Sequence, residues 1–292
     1  MIVITAPTSQ IGSQLVDDLL AANATLRLVA RDIGKVPEQV RARVELVEGS
    51  HGDPSVIDRA LAGADALFWL APPAWQQTLE QAYLEFTRPA AAAIRRHAVP
   101  RVVSITALGR GTEWQDSAGP VTASIAMDDM LMASGSAFRG LAMPSFMENT
   151  ARQISVMKDK GVFFGPIDPD HSLRFTATRD MATAAAQLLC DNGWQGQEDV
   201  PVLGPGDLSF NDQAAIISEV AARPMRYQQI GYDQFKQQFL DRGASESVAQ
   251  GYVDMYRAKD AGIDNVAARQ LENTGTTSFR HFCERVIKPA LL

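Results

Sequence analysis

The chain has 292 residues, 46% of them apolar, with a formal charge of −7 and a pI near 5.2. That size suits one large α/β domain or a domain with a smaller lobe, and the acidic balance excludes a nucleic-acid surface, which needs clustered Lys and Arg. No stretch approaches the roughly 20 apolar residues of a membrane span, and no basic leader opens the chain, so a cytoplasmic protein away from membranes is expected.

The chain opens with an apolar, β-branched run, Ile2–Thr5, which reads as a strand, and a tight turn follows. A helix over 10–22 is then predicted from Ile11, Leu15, Val16, Leu19 and Leu20 on one face. Further strands are expected over 26–30, 44–48, 66–70, 101–105 and 138–142. Helices fill the intervals at 54–61, up to His97 and over 122–133. Ala66 to Leu70 is apolar on both faces, as a parallel strand covered on both sides should be. Right-handed crossovers then give a Rossmann-type doubly wound parallel sheet.

After Pro144 the rhythm changes. Phe163 to Pro166 and Pro169 to His171 read as an excursion with turns. A buried helix returns over 180–189 and a strand over 200–203. The remainder is mostly helical, with a capping box at Ser209 and Asp212, one strand over 225–230 and a helical tail over 278–287. The expected plan is a Rossmann domain, 1–150 plus about 175–205, and a smaller, mostly helical lobe, 151–174 plus 206–292, with a cleft between them. Cys190 and Cys283 match no metal or redox spacing, and Cys190 reads as a core residue. The four histidines show no metal spacing, so no metal is expected. Arg95, Arg96 and Arg101 read as a solvated helix end.

Strand, tight turn and helix form the opening unit of a dinucleotide site, where a helix N-terminus offers unpaired N–H groups to a pyrophosphate. The usual turn carries three glycines. Here only Gly12 remains, and Ala6 and Ser9 stand at the first two places. Ser9 either caps the helix or donates its hydroxyl to a phosphate. After the second strand, where NAD enzymes place an acid for the ribose hydroxyl, stand Arg31 and Lys35. A cation there suits a 2′-phosphate, favouring NADP(H) over NAD(H), against the alternative of a solvated Arg31 paired with Asp32. Asp53 either contacts the adenine or caps the next helix.

The segments Thr5 to Gly12, Val29 to Asp32, Arg101 to Ala107, Met143 to Asn149, Phe175 with Arg179-Asp180, and Leu203 to Gly206 together resemble the NmrA-like branch of the atypical (extended-type) short-chain dehydrogenase/reductases. The resemblance runs over nearly the whole chain. It implies a Rossmann domain with a small C-terminal lobe and bound NADP(H), in reductases of quinones and dyes or in regulators that bind the cofactor without turnover. On that pattern Thr5, Thr8, Ser9, Gln10, Ile11 and Gly12 form the pyrophosphate turn. Leu70, Ala71, Pro72, Thr106 and Pro144 flank the ribose and nicotinamide.

No catalytic residue is assigned. The positions that would hold the Tyr and Lys of a dehydrogenase are Pro120 and Ser124, and neither can act as an acid. A literal Tyr232-x-x-x-Lys236 falls on a helix whose face Tyr232, Phe235 and Phe239 reads as a core stripe. Trp75, Phe146, Met147, Asn149 and Phe164 are expected to line a substrate pocket at the carboxyl edge of the sheet. The functional expectation is a reductase of a small, flat aromatic substrate; the alternative is a cofactor-sensing regulator acting through a protein partner.

Overall fold

The computed structural model describes residues 1–264 and 275–292. Seven strands form the central sheet: β1 (Ile2–Thr5), β2 (Leu26–Ala30), β3 (Glu45–Glu48), β4 (Ala66–Trp69), β5 (Arg101–Ala107), β6 (Ala137–Met143) and β10 (Gln197–Pro201). Their order is β10-β6-β5-β4-β1-β2-β3, and every neighbouring pair is parallel. This is the Rossmann-type doubly wound arrangement, reversing direction between β1 and β4. Its registers, such as Thr5 opposite Val29 and Ala107 opposite Met143, bring the carboxyl ends of the central strands to one edge. Ligands of such sheets bind along that edge.

The two faces of the sheet explain the continuous apolar runs. Phe68 of β4 packs with Ile11, Leu15 and Val16 of α1 (Gln10–Ala21) on one side. Met181, Ala182 and Ala185 of the later helix Thr178–Cys190 join that layer. Leu67 and Trp69 point the other way, onto α2 (Pro54–Leu61), α3 (Phe86–His97) and α4 (Pro120–Met132). Alternation along one strand thus feeds two cores.

The strand expected over 200–203 lies at 197–201 instead. Val202 still extends the pairing, donating its N–H to the Ala142 carbonyl at 3.0 Å. Cys190 is exposed, contrary to the expected core position. It is the last residue of its helix, and the buried stripe Met181, Ala182, Ala185, Leu189 leaves it on the outer side. Arg101 is not solvated either. It is 7% exposed, 5.8 Å from the Trp194 ring centre, and donates to the Asp191 carbonyl. A planar guanidinium tolerates burial against an indole better than an ammonium would.

The chain leaves the sheet through Pro144 and enters a second core. There β7 (Ser145–Phe146), β9 (Leu173–Thr176) and β11 (Asp207–Leu208) form one small sheet, and β8 (Val162–Gly165) with β12 (Arg226–Gln229) another. Met157, Phe163, Phe175, Tyr227 and Phe279 pack between them. Helix α5 is Thr178–Cys190 itself, and α6 (Phe210–Ala221) carries the expected capping box. Helices α7 (Tyr232–Leu240) and α8 (Glu246–Asp260) follow, and the expected helical tail runs through Phe279–Phe282, Cys283–Ile287 and Lys288–Leu291. The two cores are bolted together by buried polar contacts. Glu148 Oε1 accepts from the Thr178 N–H at 3.0 Å and its hydroxyl at 2.6 Å, and Thr178 Oγ1 accepts from Gln14 of α1 at 3.1 Å.

Candidate functional site

At the head of α1 the turn keeps its shape without two of its glycines. Ala6 takes the left-handed φ of +48° that the first glycine would supply freely. Ser9 sits at φ −75° and needs no glycine; its hydroxyl donates to the Ala6 carbonyl at 2.8 Å and accepts from the Gly12 N–H at 3.0 Å. Of the two roles open to Ser9, the hydroxyl therefore serves as the cap. Gly12 is fixed by crowding, because a Cβ there would lie 2.2 Å from the Ala6 oxygen. The N–H groups of Gln10 and Ile11, the first two of the helix, have no partner among the described residues. Thr8 and Gln10 are exposed, whereas the Ile11 side chain is in the core, leaving only its amide for a ligand.

Arg31 stands exposed just after β2 with no ion pair among the described residues. Asp32, its suggested alternative partner, instead caps the next turn through Gly34 and lies 3.9 Å from Lys35. Asp53 caps α2, with Oδ1 accepting from Ser55 at 2.8 Å and Val56 at 3.1 Å. Those bonds hold its carboxyl below the usual range, the Ser55 hydroxyl contributing most.

Two hydroxyls are turned away from the edge, contrary to expectation. Thr5 is fully buried; its Oγ1 donates to the Phe68 carbonyl at 2.9 Å and accepts from the Leu70 N–H at 3.0 Å, so it staples β1 to β4. Thr106 points onto α4, 3.5 Å from Ser124 Oγ. Strand alternation sends both side chains inward.

Beside Thr106 lies a buried acid pair. Asp128 Oδ1 accepts from Ser104 at 2.8 Å, while Asp128 Oδ2 and Asp199 Oδ1 have no partner. Both orphan oxygens face Gly140, where a Cβ would sit 3.1 Å and 2.7 Å from them. Burial above all, and the neighbouring Asp199 charge, push Asp128 up to about 7 against the pull of the Ser104 and Thr106 hydrogen bonds. A proton on Asp128 removes the cost of an ionised carboxyl there.

His51 carried no assignment from sequence, yet it supports this edge. Its ring stands edge-on to Trp69 and Phe86, with centroids 5.1 Å and 4.9 Å away, and Nε2 lies 3.1 Å from the Leu70 carbonyl. Burial, aided by the Arg31 charge, lowers it to about 4, against the raising effect of the Leu70 bond. The imidazole is therefore neutral at pH 7, and because a carbonyl only accepts, Nε2 carries the proton. A lone histidine between β3 and α2 carries no sequence signal for such a role.

The expected pocket residues separate. Trp75 stacks on Phe239 and Tyr252, both at 5.6 Å. Phe164 packs with the same aromatic group, its backbone clamped at 2.9 Å on both sides by Gln153. Asn149 accepts from Arg152 at 2.9 Å. Phe146 packs against the sheet core. Met147 is 2% exposed in the core of the lobe and borders a separate apolar cavity of about 230 Å³ with Phe175 and Phe279. Its position directly after Phe146 turns it to the opposite side. Sequence reading missed Tyr252, which lies in the Trp75 stack, and Tyr256, which meets Phe235 one turn further on.

The strand order and the open amides at α1 are those of a Rossmann-type α/β fold with a dinucleotide turn. The chain belongs to the NAD(P)H-binding family, whose profile matches residues 7–190. It is 28% identical over 256 residues to an NAD(P)H azoreductase of Xenophilus azovorans, covering 88% of this chain and 86% of that one. Its fold matches the triphenylmethane reductase of Citrobacter sp. solved with NADP(H), with a TM-score of 0.80, 17% identity and coverage of 99% and 100%. An NADPH-dependent quinone oxidoreductase from Escherichia coli, solved with NADPH, also gives 0.80, at 20% identity and 97% and 98% coverage.

Among the described residues no cluster of His, Cys, Asp and Glu is arranged to hold a metal, and no helix is long and apolar enough to cross a membrane.

Proposed function

We propose that the chain is an NADPH-dependent reductase of small, flat, conjugated acceptors, quinone- or dye-like, working in the cytoplasm without a Tyr/Lys pair. The observation that carries this reading is a phosphate turn preserved in shape beside an unpaired Arg31. The named activities of the azoreductase, quinone oxidoreductase and triphenylmethane reductase relatives support the acceptor class.

The residues present fit the dinucleotide. The free amides of Gln10 and Ile11, with Thr8, Ser9 and Gly12 around them, would hold the pyrophosphate. Arg31 and Lys35 would hold the 2′-phosphate, and Asp53, with Oδ1 engaged in the α2 cap, would have its other oxygen left for the adenine. Leu70, Ala71 and Pro72, with the backbone of Thr106 and Pro144, flank the ribose and nicotinamide, while Thr5 fixes the strand spacing beneath. When bound, the reduced nicotinamide supplies a hydride. Pro120 and Ser124 cannot replace a Tyr/Lys pair, and Ser124 Oγ is engaged with the Val121 carbonyl at 2.9 Å. Transfer to a conjugated acceptor then relies chiefly on positioning.

Calorimetric titration with NADPH and NADH tests the reading. NADPH should bind at least tenfold tighter. Arg31→Ala should weaken NADPH by about 10- to 100-fold, the worth of a charge-assisted hydrogen bond to phosphate, and leave NADH within twofold. Equal losses would remove the 2′-phosphate assignment, and no saturation with either would remove the reductase reading altogether.

A further inference from the structure

All but two of the chain's five tyrosines leave their hydroxyls unused, and those three converge. Tyr227 donates to the Ile167 carbonyl at 2.9 Å and Tyr232 to Asp260 at 3.4 Å. The hydroxyls of Tyr83, Tyr252 and Tyr256 have no hydrogen-bond partner among the described residues. None of them is among the sealed, unpartnered atoms either, so each reaches solvent. Tyr83 lies in the helical segment Gln81–Glu85, ahead of α3 in the cofactor-binding half. Tyr252 and Tyr256 lie one turn apart on α8, on one face of that helix. Dense surroundings push all three phenols up, Tyr256 to about 12, and Tyr252 acts on both of the others. All three side chains are only partly buried, so a flat ligand can reach their edges. The Tyr252 ring is locked flat against Trp75 and Phe239, with interplanar angles of 6° and 25°. Arg152, beside Asn149, acts on Tyr252 and Tyr256 in the direction that favours a phenolate.

We propose that Tyr252, flanked by Tyr83 and Tyr256, is the hydrogen-bond and proton donor to the acceptor, so that the cleft selects flat conjugated molecules with a protonatable oxygen or nitrogen. The inference rests on the reductase reading above. A quinone gains two electrons and one hydrogen as hydride from the reduced dinucleotide and needs one further proton to become the hydroquinone. The Tyr252 O–H bond breaks, an O–H bond forms on the quinone oxygen, and the phenolate held near Arg152 regains a proton from water. A cationic triphenylmethane dye needs no such proton, because hydride addition at its central carbon neutralises it directly.

That contrast supplies the test. Tyr252→Phe keeps the ring stack and removes only the hydroxyl. Turnover of 1,4-naphthoquinone should fall about a hundredfold or more, the low end of a lost proton donor, while reduction of a cationic triphenylmethane dye and the NADPH dissociation constant stay within twofold. Naphthoquinone binding to the NADP⁺-loaded protein, read by tryptophan quenching, should weaken at least threefold. Undiminished quinone turnover, equal loss on both acceptors, or unchanged quenching overturns the assignment. If the wild-type protein binds NADPH and reduces neither acceptor, the reductase reading fails instead, and the quenching titration still decides whether Tyr252 touches a quinone.

Discussion

On the proposed reading two walls meet the ligands, one the dinucleotide and one the acceptor, and they are built from different materials. The dinucleotide wall is mostly backbone: free amides at α1, a turn around Ala6, and strand ends held by Thr5 and His51. The acceptor wall is side chains: Trp75 from the loop after β4, Phe164 from β8, and Phe239, Tyr252 and Tyr256 from α7 and α8. A backbone wall tolerates sequence change so long as its path is kept, and the replacement of two glycines shows this. A side-chain wall changes its ligand with each substitution. The loop carrying Trp75 is pinned to the second wall by Ser245, whose N–H donates to the Trp75 carbonyl at 2.7 Å, and by Ser247 Oγ, which accepts from Leu79 at 3.2 Å.

If the first wall depends on backbone path, its most sensitive point is the closest approach. Gly12→Val places a branched side chain where even a Cβ would lie 2.2 Å from the Ala6 oxygen. Backbone must shift, at about 2–3 kcal/mol, the upper part of the usual range for point substitutions. Thermal unfolding should report that loss, and NADPH titration should show binding weakened more than 100-fold. Retention of NADPH binding would mean that the turn is not the phosphate site.

The floor beneath both walls is the next largest effect, and it depends on pH. Asp128 has a folded pKa of about 7, above the ordinary value near 4. Between those values the folded chain holds a proton that the unfolded chain lacks, so stability falls as pH rises through that window. The loss is on the order of 1 kcal/mol per pH unit, and it is complete above the folded pKa. Burial likewise raises Asp199, with the same sign, although Arg110 opposes it. Asp128→Asn keeps the shape and removes the titration. Chemical denaturation at pH 5 and pH 8 should show the wild type weaker at pH 8 and the variant nearly level. A wild type with no such slope would mean that the folded chain does not hold a proton on Asp128.

This contrast also explains what could be read from the amino-acid order. Period-two and period-3.6 patterns placed the strands and helices of the central sheet within a few residues, because each element buries its own face. The turn was legible because consecutive residues build it. The acceptor wall was less so. Trp75 and Phe164 could be named as aromatics near a strand end, but Tyr83, Tyr252 and Tyr256 come from segments far apart in sequence, and nothing local marks their hydroxyls as free. Met147 and Thr106 fell on the expected segments and face away from the cleft, since one residue of register reverses a side chain's direction. Cys190 failed for a helical reason: it ends its helix on the side away from the buried stripe.

A smaller effect separates stacking from hydroxyl chemistry on the second wall. Trp75→Ala removes two near-parallel ring contacts, each worth about 0.5–1.5 kcal/mol beyond area. With Trp75 37% exposed, the stability loss should lie near 1–2 kcal/mol. The quinone KM should rise with kcat less affected, the reverse of the pattern expected for Tyr252→Phe, and NADPH affinity should hold. Loss of kcat alone would assign Trp75 a part in the transfer step.

The smallest effect returns to the first wall and tests its strain. Ala6 at φ +48° carries a penalty of about 1–2 kcal/mol that glycine does not. Ala6→Gly relieves it while loosening the unfolded chain by about 0.4–1 kcal/mol. The net should be a gain near 0.5 kcal/mol, which for a chain of this size raises Tm by about 1–2 °C. NADPH affinity should stay within twofold, because Ser9 and Gly12 already hold the turn. A drop in Tm would show that Ala6 does not occupy the left-handed region in solution. A large gain in affinity would show that the methyl group, and not only the φ angle, stands against the pyrophosphate, and the tolerance ascribed to the backbone wall would then have a steric limit at this residue.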